Sequence, residues 1–247
     1  MTTSDNAARQ TTSLRTTARV AGWLYLVTFI TSIPARVLYG PALDATYVLG
    51  HADNTGVQLG TVLDVLCALA GIGTAVVLYP VVKRQSQSVA LAFVASRTLE
   101  ASALVLGVVS LLAIVTLQQD LVGTSAADGT SLAVTGSALL AIHNWAYLVG
   151  PGIMSGVNAL LLGSLMYRSR LVPRAIPLMG LIGAPLLIGS SVATMFGAFD
   201  QFSPAAAVAA LAVALWELSV GLWMALKGFR PSPITTGVPV VGELAGV

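Results

Sequence analysis

The sequence predicts an all-α integral membrane protein, a six-transmembrane-helix bundle with cytoplasmic N- and C-termini. Composition is the first observation, because 56% of the 247 residues are hydrophobic and only 9% are charged, whereas soluble domains carry about 25% charged residues. The second is a series of six apolar segments, each long enough to cross a hydrocarbon core of about 30 Å as a helix. The third is the alternation of basic and acidic loops, which orients the helices.

The six apolar segments follow one another along the chain. The first comes after three arginines, as a secretory signal does, but its apolar run exceeds the usual ~7–15 residues and no small-residue cleavage pattern closes it, so we expect a retained helix. The fourth contains Gly150-Pro151-Gly152, which predicts a kink because proline removes a backbone hydrogen bond. The predicted segments are approximately 20–38, 57–80, 88–117, 132–167, 175–197 and 205–226.

The two ends of the chain differ from the apolar segments in composition. Residues 1–18 are rich in Thr, Ser and Ala, and residues 230–247 contain Pro and Gly at spacings that discourage a helix. We therefore expect a disordered N-terminal tail over 1–18, one membrane domain over 19–229 and a disordered C-terminal tail over 230–247.

The charged residues outside the segments are sorted by loop. Lys and Arg occur in both tails and in the second and fourth loops, whereas the first, third and fifth loops contain Asp and neither Lys nor Arg. Cytoplasmic loops of membrane proteins are the ones enriched in Lys and Arg. The pattern predicts a multi-pass protein of the cell inner (plasma) membrane with both termini inside. The basic residues concerned are Arg9, Arg15, Arg19, Lys83, Arg84, Arg168, Arg170, Arg174, Lys227 and Arg230.

Charged residues within the segments are the candidates for function, because each costs roughly 2.5–3.5 kcal/mol at the bilayer centre and usually faces the bundle interior. Arg97 and Glu100 are three residues apart and share a helix face. At a rise of about 1.5 Å per residue, Glu217 and Asn158 lie at a similar depth. We predict that these four residues form one polar cluster near the midplane, and that this cluster is a binding site.

A second polar layer is predicted closer to the outer face. Arg36 and Asp64 lie at similar depths on antiparallel neighbouring segments, so we expect an ion pair between them, and His143 lies near the outer boundary. The aromatic residues near segment ends are expected to be interfacial anchors. They are Trp23, Tyr25, Tyr39, Tyr79, Trp145, Tyr147, Tyr167 and Trp223.

Several classes of site are disfavoured by the motifs that the sequence lacks. It contains no H-E-x-x-H zinc motif, no G-x-S-x-G elbow and no Walker loop. Its single cysteine, Cys67, excludes an internal disulfide and the multi-cysteine metal sites. The basic residues are few and are not interleaved with aromatic residues, so we expect no nucleic-acid partner. We expect no catalytic residue, no metal and no cofactor.

Three functions remain open for the predicted polar cluster. The predicted cluster contains two carboxylates, Glu100 and Glu217, and one arginine, Arg97, so it has one excess negative charge. A bound proton or a cation would balance that charge. The first hypothesis is a non-catalytic protein that binds a small or lipidic ligand or a partner helix. The second is a proton-coupled small-molecule transporter that uses Glu100 and Glu217, although no internal repeat of the transporter kind is visible. The third is a membrane enzyme acting on a lipid-like substrate.

Two further expectations remain open from the sequence. Buried ion pairs also fix helix register without any ligand, and this structural role is an alternative to all three functions. The expected partners are the lipid bilayer and a small-molecule or lipid ligand, and a homo-oligomer is an open alternative to a monomer.

Several stretches of the chain resemble a bacterial membrane family called domain of unknown function 4386. They are "ARVAGWLYLVTFITSIPARV" at 18–37, "TVLDVL" around Asp64, "RTLEA" at 97–101, "LLLGSLMYRSRLVPRAIPLMGLIGA" at 160–184 and "WELSVGLWMALKGF" at 216–229. The resemblance covers most of the chain between 18 and 229. It implies a six-helix membrane protein and carries over no catalytic residue, because the family has no established activity.

Overall fold

The part of the chain that the structure describes is dominated by six helical spans. The structure is a computed structural model that describes residues 3–50, 53–120, 126–201 and 203–236. Within these residues, six helical spans are long and apolar enough to cross a membrane, which confirms the predicted all-α six-helix fold. The protein is a multi-pass membrane protein. The spans are Thr12–Leu38, Thr55–Val82, Gln87–Gln119, Thr130–Ser169, Ala175–Met195 and Pro204–Leu226.

The helical elements are numbered in chain order. The first loop contains two short 3₁₀ turns, Gly40–Leu43 and Tyr47–Leu49. The fourth span is built from two α-helices with a π-helical segment, Leu148–Met154, between them. The α-helices are α1 Thr3–Leu38, α2 Thr55–Val82, α3 Gln87–Asp120, α4 Ala126–Tyr147, α5 Ser155–Ser169, α6 Ala175–Met195, α7 Pro204–Leu226 and α8 Pro233–Thr236.

The π-helical segment coincides with the Gly150-Pro151-Gly152 sequence. Pro151 has no backbone N–H to donate, so the regular α-helical ladder cannot continue through it. A Cβ atom at Gly150 would lie 2.8 Å from the Cβ of Ala103 on α3, and one at Gly152 would lie 2.9 Å from Oγ of Ser191 on α6. The two glycines therefore allow the segment to pass closely between α3 and α6. π-Helical turns within α-helices occur frequently at functional sites.

The spans form a closed ring. Helix α1 packs on α2, α2 on α3, and α3 on the fourth span. Helix α5 packs on α6, α6 on α7, and α7 returns to α1. The final contact is a backbone-to-backbone approach, because a Cβ atom at Gly22 of α1 would lie 2.7 Å from the carbonyl oxygen of Gly221 and 2.8 Å from Cα of Ala225. Side chains that point into the ring can therefore meet across it.

The two ends of the bundle carry opposite charges. We call the end with the α2–α3 and α5–α6 loops, which contain Lys83, Arg84 and Arg170, the basic end. The opposite end, with Asp44, Asp53 and Asp200 in its loops, is the acidic end. The largest hydrophobic core lies toward the basic end and includes the fully buried side chains of Tyr25, Phe93, Leu162, Met166, Trp216 and Met224.

The structure describes part of each tail, residues 3–18 and 230–236. Helix α1 begins at Thr3, because a helix that is already formed gains one hydrogen bond for each residue added. After α7, Arg230 N–H donates to the Leu171 carbonyl at 2.8 Å, and Ser232 Oγ donates to the Ser169 carbonyl. These bonds satisfy one carbonyl group at the end of α5, where helical partners run out, and one just beyond it. Residues 237–247 lie outside the described residues.

Candidate functional site

A guanidinium group connects two helices at the centre of the ring. Arg97 of α3 donates from Nη1 to Oε2 of Glu100 at 2.8 Å and from Nη2 to Oε1 of Glu217 at 2.5 Å. The first pair lies within one turn of α3, whereas the second crosses to α7. Arg97 is only 4% exposed. The contacts are charge-assisted hydrogen bonds in a buried setting, which are among the stronger polar interactions in proteins.

Asn158 joins the same group from α5. Its side chain is fully buried, and its Nδ2 donates to Oε2 of Glu100 at 2.6 Å. Oε2 of Glu100 thus accepts hydrogen bonds from both Arg97 and Asn158. The structure therefore brings together Arg97, Glu100, Asn158 and Glu217, which we call the inner cluster. Their role in binding stays a prediction.

Aromatic rings support the arginine of the inner cluster. The guanidinium carbon of Arg97 lies 5.2 Å from the ring centroid of Tyr25 and 6.0 Å from that of Phe93, within the range of cation–π attraction. The prediction that Tyr25 and Tyr39 are interfacial anchors is wrong, because both are fully buried. Trp23, in contrast, is 56% exposed.

A sequence signal for the burial of Tyr25 does exist. Ala18, Ala21 and Gly22 precede it at helical spacing, and small residues in a membrane helix mark a face that packs against a neighbour. Ala18 and Ala21 are fully buried. Tyr25 continues this face one turn beyond Ala21 and therefore points into the bundle.

The second predicted layer is organised by two tyrosines. The guanidinium carbon of Arg36 lies 5.8 Å from the ring centroid of Tyr39 and 5.9 Å from that of Tyr147. His143 packs between the same rings, at centroid distances of 5.7 Å and 5.8 Å, and its Nδ1 lies 3.1 Å from the Gly107 carbonyl oxygen. His143 is only 1% exposed, so it faces the bundle interior. The tyrosines thus connect Arg36 to His143.

Asp64 does not form the predicted ion pair with Arg36. Asp64 is 1% exposed, and neither of its carboxylate oxygens has a hydrogen-bond partner among the described residues. Arg36 is close enough to act on Asp64 electrostatically, but its guanidinium lies over the rings of Tyr39 and Tyr147. The faces of aromatic rings attract guanidinium groups, which is the physical reason for the difference. We call Arg36, Asp64 and His143, with the two tyrosines, the outer layer.

A cavity of about 460 Å³ connects the inner cluster to the outer layer. Arg97, Glu100 and Glu217 line one part of it, and Asp64 lines another. Much of the remaining wall is apolar. It includes Phe29 of α1, Leu104 of α3, Leu187 of α6 and Val213 of α7. Charged groups therefore face an otherwise largely apolar chamber.

The cavity extends from the bundle centre toward the acidic end, between α1 and α7. These helices touch at Gly22 and Gly221, and beyond that crossing they contribute Phe29 and Ala210 to the cavity wall. Ala210 is exposed, so this part of the wall lies at the bundle surface. Gln201, in the loop before α7, lines the cavity at the acidic end. No sequence pattern predicts this opening, because it depends on how helices distant in sequence pack together.

Metal binding has no support from the part of the chain that the structure describes. No group of three or more His, Cys, Asp or Glu side chains is arranged there to hold a metal ion.

Cys67 lies in the cavity wall, with its Sγ 3.7 Å from the Thr28 carbonyl oxygen.

The comparison with known families agrees with the resemblance seen in the sequence. The family described as Domain of unknown function (DUF4386) matches residues 20–228. The chain belongs to this family. The matched range covers nearly all of the six spans, including every residue of the inner cluster and the outer layer. No curated protein and no solved structure matches the chain.

Proposed function

We propose that this DUF4386 protein binds a small or lipidic ligand in the cavity and does not catalyse a reaction on it. The supporting observation is that a charged cluster borders a largely apolar cavity of about 460 Å³. Ligand pockets usually have volumes of about 300–1,000 Å³, with mainly apolar walls and a few fixed polar groups. The inner cluster supplies those polar groups, and the faces of α1, α6 and α7 supply the apolar walls.

A purely structural inner cluster is the competing explanation. The contacts of Arg97 with Glu100 and Glu217 hold α3 against α7 without any ligand. However, the side chains of Glu100 and Glu217 remain 14% and 13% exposed, and both line the cavity. Carboxylates that served only to fix helix register would not need to border a chamber of this size.

Blocking the cavity tests ligand binding directly. Ala214 lines the cavity one turn before Glu217, whereas Leu211 on the same helix is 55% exposed and does not line it. The full-length protein, Ala214→Phe and Leu211→Phe would be screened in lipid nanodiscs against single-chain amines, alcohols, acids and lysolipids. We expect some of these compounds to raise the melting temperature of the unaltered protein and of Leu211→Phe, but not that of Ala214→Phe. A shift of equal size in Ala214→Phe would contradict binding in the cavity.

Proton-coupled transport is the second candidate function. It is favoured by the arrangement in which Glu100 and Glu217 share the single guanidinium of Arg97 while bordering the cavity. One carboxyl is then available to take up a proton as ligand enters or leaves. In proteoliposomes with an internal pH dye, a ligand from the screen should move protons with the unaltered protein. Glu217→Gln should bind the ligand and move no protons. Binding without proton movement in the unaltered protein would reject this candidate.

The orientation is a further part of the proposal. Both termini are placed in the cytoplasm and the protein in the plasma membrane, because Lys and Arg lie at one end of the bundle and Asp at the other. With Cys67 replaced by Ser, single cysteines at Asp53 and at Lys83 would be labelled in intact cells by a membrane-impermeant maleimide. Only the cysteine at position 53 should react. Labelling of the cysteine at position 83 alone would show that the protein has the opposite orientation.

A further inference from the structure

A buried carboxyl group in the cavity wall has no hydrogen-bond partner. Asp64 is 1% exposed, it lines the cavity, and both of its oxygens lack a hydrogen bond to any described residue. Buried polar side chains are nearly always hydrogen-bonded, and burial without a partner is unfavourable. The hydroxyl of Tyr39 is close enough to act on Asp64, but neither group makes a hydrogen bond among the described residues, and Tyr39 does not line the cavity. A ligand in the cavity can approach Asp64 from the open side and supply the missing donor.

The charges around the cavity indicate the sign of the charge that the ligand carries. Three carboxyl groups are near it, those of Asp64, Glu100 and Glu217. Two guanidinium groups accompany them. Arg97 binds both glutamates, whereas Arg36 acts on Asp64 electrostatically while lying over two tyrosine rings. With all five groups ionised, the site lacks one positive charge, and Asp64 is the carboxyl group that no arginine contacts by a hydrogen bond.

The cavity is far larger than a bare metal ion requires, most of its wall is apolar, and no three His, Cys, Asp or Glu side chains of the described residues are grouped to hold such an ion. A cation that fills it must carry an apolar body. We propose that the cavity binds an amphipathic organic cation, whose ammonium group pairs with Asp64 while its apolar part lies along α1, α6 and α7. The inference rests on the proposed function and specifies the chemical class of its ligand. An ammonium donates the hydrogen bonds that Asp64 lacks and restores charge balance.

A head-group series on the unaltered protein tests the charge of the ligand. The probes are 4-phenylbutylamine, 4-phenylbutyltrimethylammonium, 4-phenylbutanol and 4-phenylbutyrate, which share one apolar body. Binding would be measured by thermal shift with full-length protein in nanodiscs of zwitterionic lipid. We expect the amine to bind at least about ten-fold more tightly than the alcohol, because it brings both a positive charge and N–H donors to Asp64. The trimethylammonium compound has the charge but no N–H donor and should bind between these two, and the carboxylate should bind most weakly.

A matched pair of variants tests the role of Asp64. Asp64→Asn removes the carboxylate, and Asp200→Asn removes the same charge from an exposed position that does not line this cavity. Asp64→Asn should lose the ten-fold preference for the amine over the alcohol, and Asp200→Asn should keep it. If the preference survives in Asp64→Asn, the pairing with Asp64 is wrong. If Asp64→Asn fails to fold, the order of the four probes on the unaltered protein decides.

The outcomes separate this inference from the proposed function. Equal binding of the amine and the alcohol to the unaltered protein would overturn the cation inference and leave a ligand-binding cavity in place. No shift with any of the four probes would also overturn the cation inference. The proposed function then stands or falls on the wider screen with Ala214→Phe and Leu211→Phe.

Discussion

The inner cluster and the outer layer are both buried and polar, yet they differ in how completely their groups are paired. Each of the four side chains in the inner cluster makes a hydrogen bond to another member, and together they join α3, α5 and α7. Both carboxyl groups of the cluster are bonded, and among its other atoms Nε of Arg97 and Oδ1 of Asn158 have no partner among the described residues. In the outer layer, both oxygens of Asp64 and Nε2 of His143 have no partner among the described residues. The inner cluster is therefore arranged to hold helices together, as polar contacts in membranes do. The outer layer, in contrast, can still accept a hydrogen bond from an additional group, at the carboxylate of Asp64.

Helix packing shows the same division. Toward the basic end, α1 and α7 meet at Gly22 and Gly221, and a Cβ atom at Gly180 would lie 2.6 Å from the indole ring of Trp216. Toward the acidic end, the space between α1 and α7 belongs to the cavity. The closely packed half of the bundle thus positions the inner cluster at the edge of the half that contains the cavity.

The largest expected effect follows from removing the centre of the inner cluster. Arg97→Met leaves Glu100 and Glu217 buried without their cation, and breaking a buried ion pair in this way costs about 3–5 kcal/mol. We expect a lower yield of folded protein and a clearly lower melting temperature in detergent. The measurement is tryptophan fluorescence during heating, with yield followed by size-exclusion chromatography.

A triple variant serves as the control for this prediction. Arg97→Met combined with Glu100→Gln and Glu217→Gln removes all the formal charges, so most of the lost stability should return. If the triple variant is as unstable as Arg97→Met alone, packing around the arginine matters more than its charge, and the comparison between the two layers fails.

The second effect concerns the crossing of α1 and α7. Gly22→Ala places a methyl group against backbone atoms of Gly221 and Ala225, which cannot rotate away. Overpacking costs about 1–3 kcal/mol, which offsets or exceeds the gain of about 1 kcal/mol when alanine replaces glycine in a helix. We expect a net loss of stability by thermal unfolding.

Gly189 on α6 provides the matched control. It is a helical glycine in the membrane, but no atom would lie within 4 Å of an added Cβ. Gly189→Ala should leave stability unchanged or raise it slightly. Equal losses in the two variants would show that the close crossing is not what stabilises this half of the bundle.

The third expected effect is an unchanged or increased stability, in contrast to the losses expected for the first two variants. Asp64→Asn removes a charge that is buried without hydrogen bonds, so in the absence of ligand its stability should be unchanged or higher by up to about 2 kcal/mol. Residues that lower the stability of the fold are typical of functional sites. The melting temperature would be compared with that of Asp200→Asn, which controls for net charge. A loss of more than about 1 kcal/mol would mean that the carboxylate of Asp64 stabilises the fold, and would remove the contrast with the inner cluster.

The sequence predicts the spans well because a bilayer requires about 20 apolar residues for each helix. The inner cluster can also be predicted from the sequence, because Arg97 and Glu100 share a helix face and the depth of Glu217 follows from the rise per residue. The same arithmetic placed Arg36 beside Asp64. It did not reveal that Arg36 lies over the rings of Tyr39 and Tyr147, because depth carries no information about rotation around the helix axis.

The cavity and the π-helical segment were beyond prediction for a different reason. Gly150-Pro151-Gly152 predicts an irregularity in the fourth span, but its form depends on the close approach of α3 and α6. The cavity is lined by residues from α1, α2, α3, α6 and α7, so its shape depends on packing across the whole ring. Local sequence patterns specify neither quantity.

The smallest expected effect lies in the acidic-end loop that precedes α2. Asp44 Oδ1 accepts hydrogen bonds from the backbone N–H and hydroxyl of Thr46, and Asp53 Oδ1 accepts the same pair from Thr55. These bonds lower the pKa of both carboxyl groups below their ordinary value of 3.8. Their contribution to loop stability is therefore fully present above that value and is lost as the pH falls through the lowered pKa.

Hydrogen exchange of the Thr46 and Thr55 amides, corrected for the intrinsic rate, would measure this loss. Protection should fall below pH 3.8 in the unaltered protein, and Asp44→Asn and Asp53→Asn should each abolish the pH dependence at its own threonine. Amides in the middle of α3 serve as the internal reference, because they are bonded within a helix in the core of the bundle. If both sets of amides lose protection together, acid is opening the bundle itself. The buried carboxyl groups of the inner cluster and the outer layer, and not the loop, would then be the groups that respond to pH.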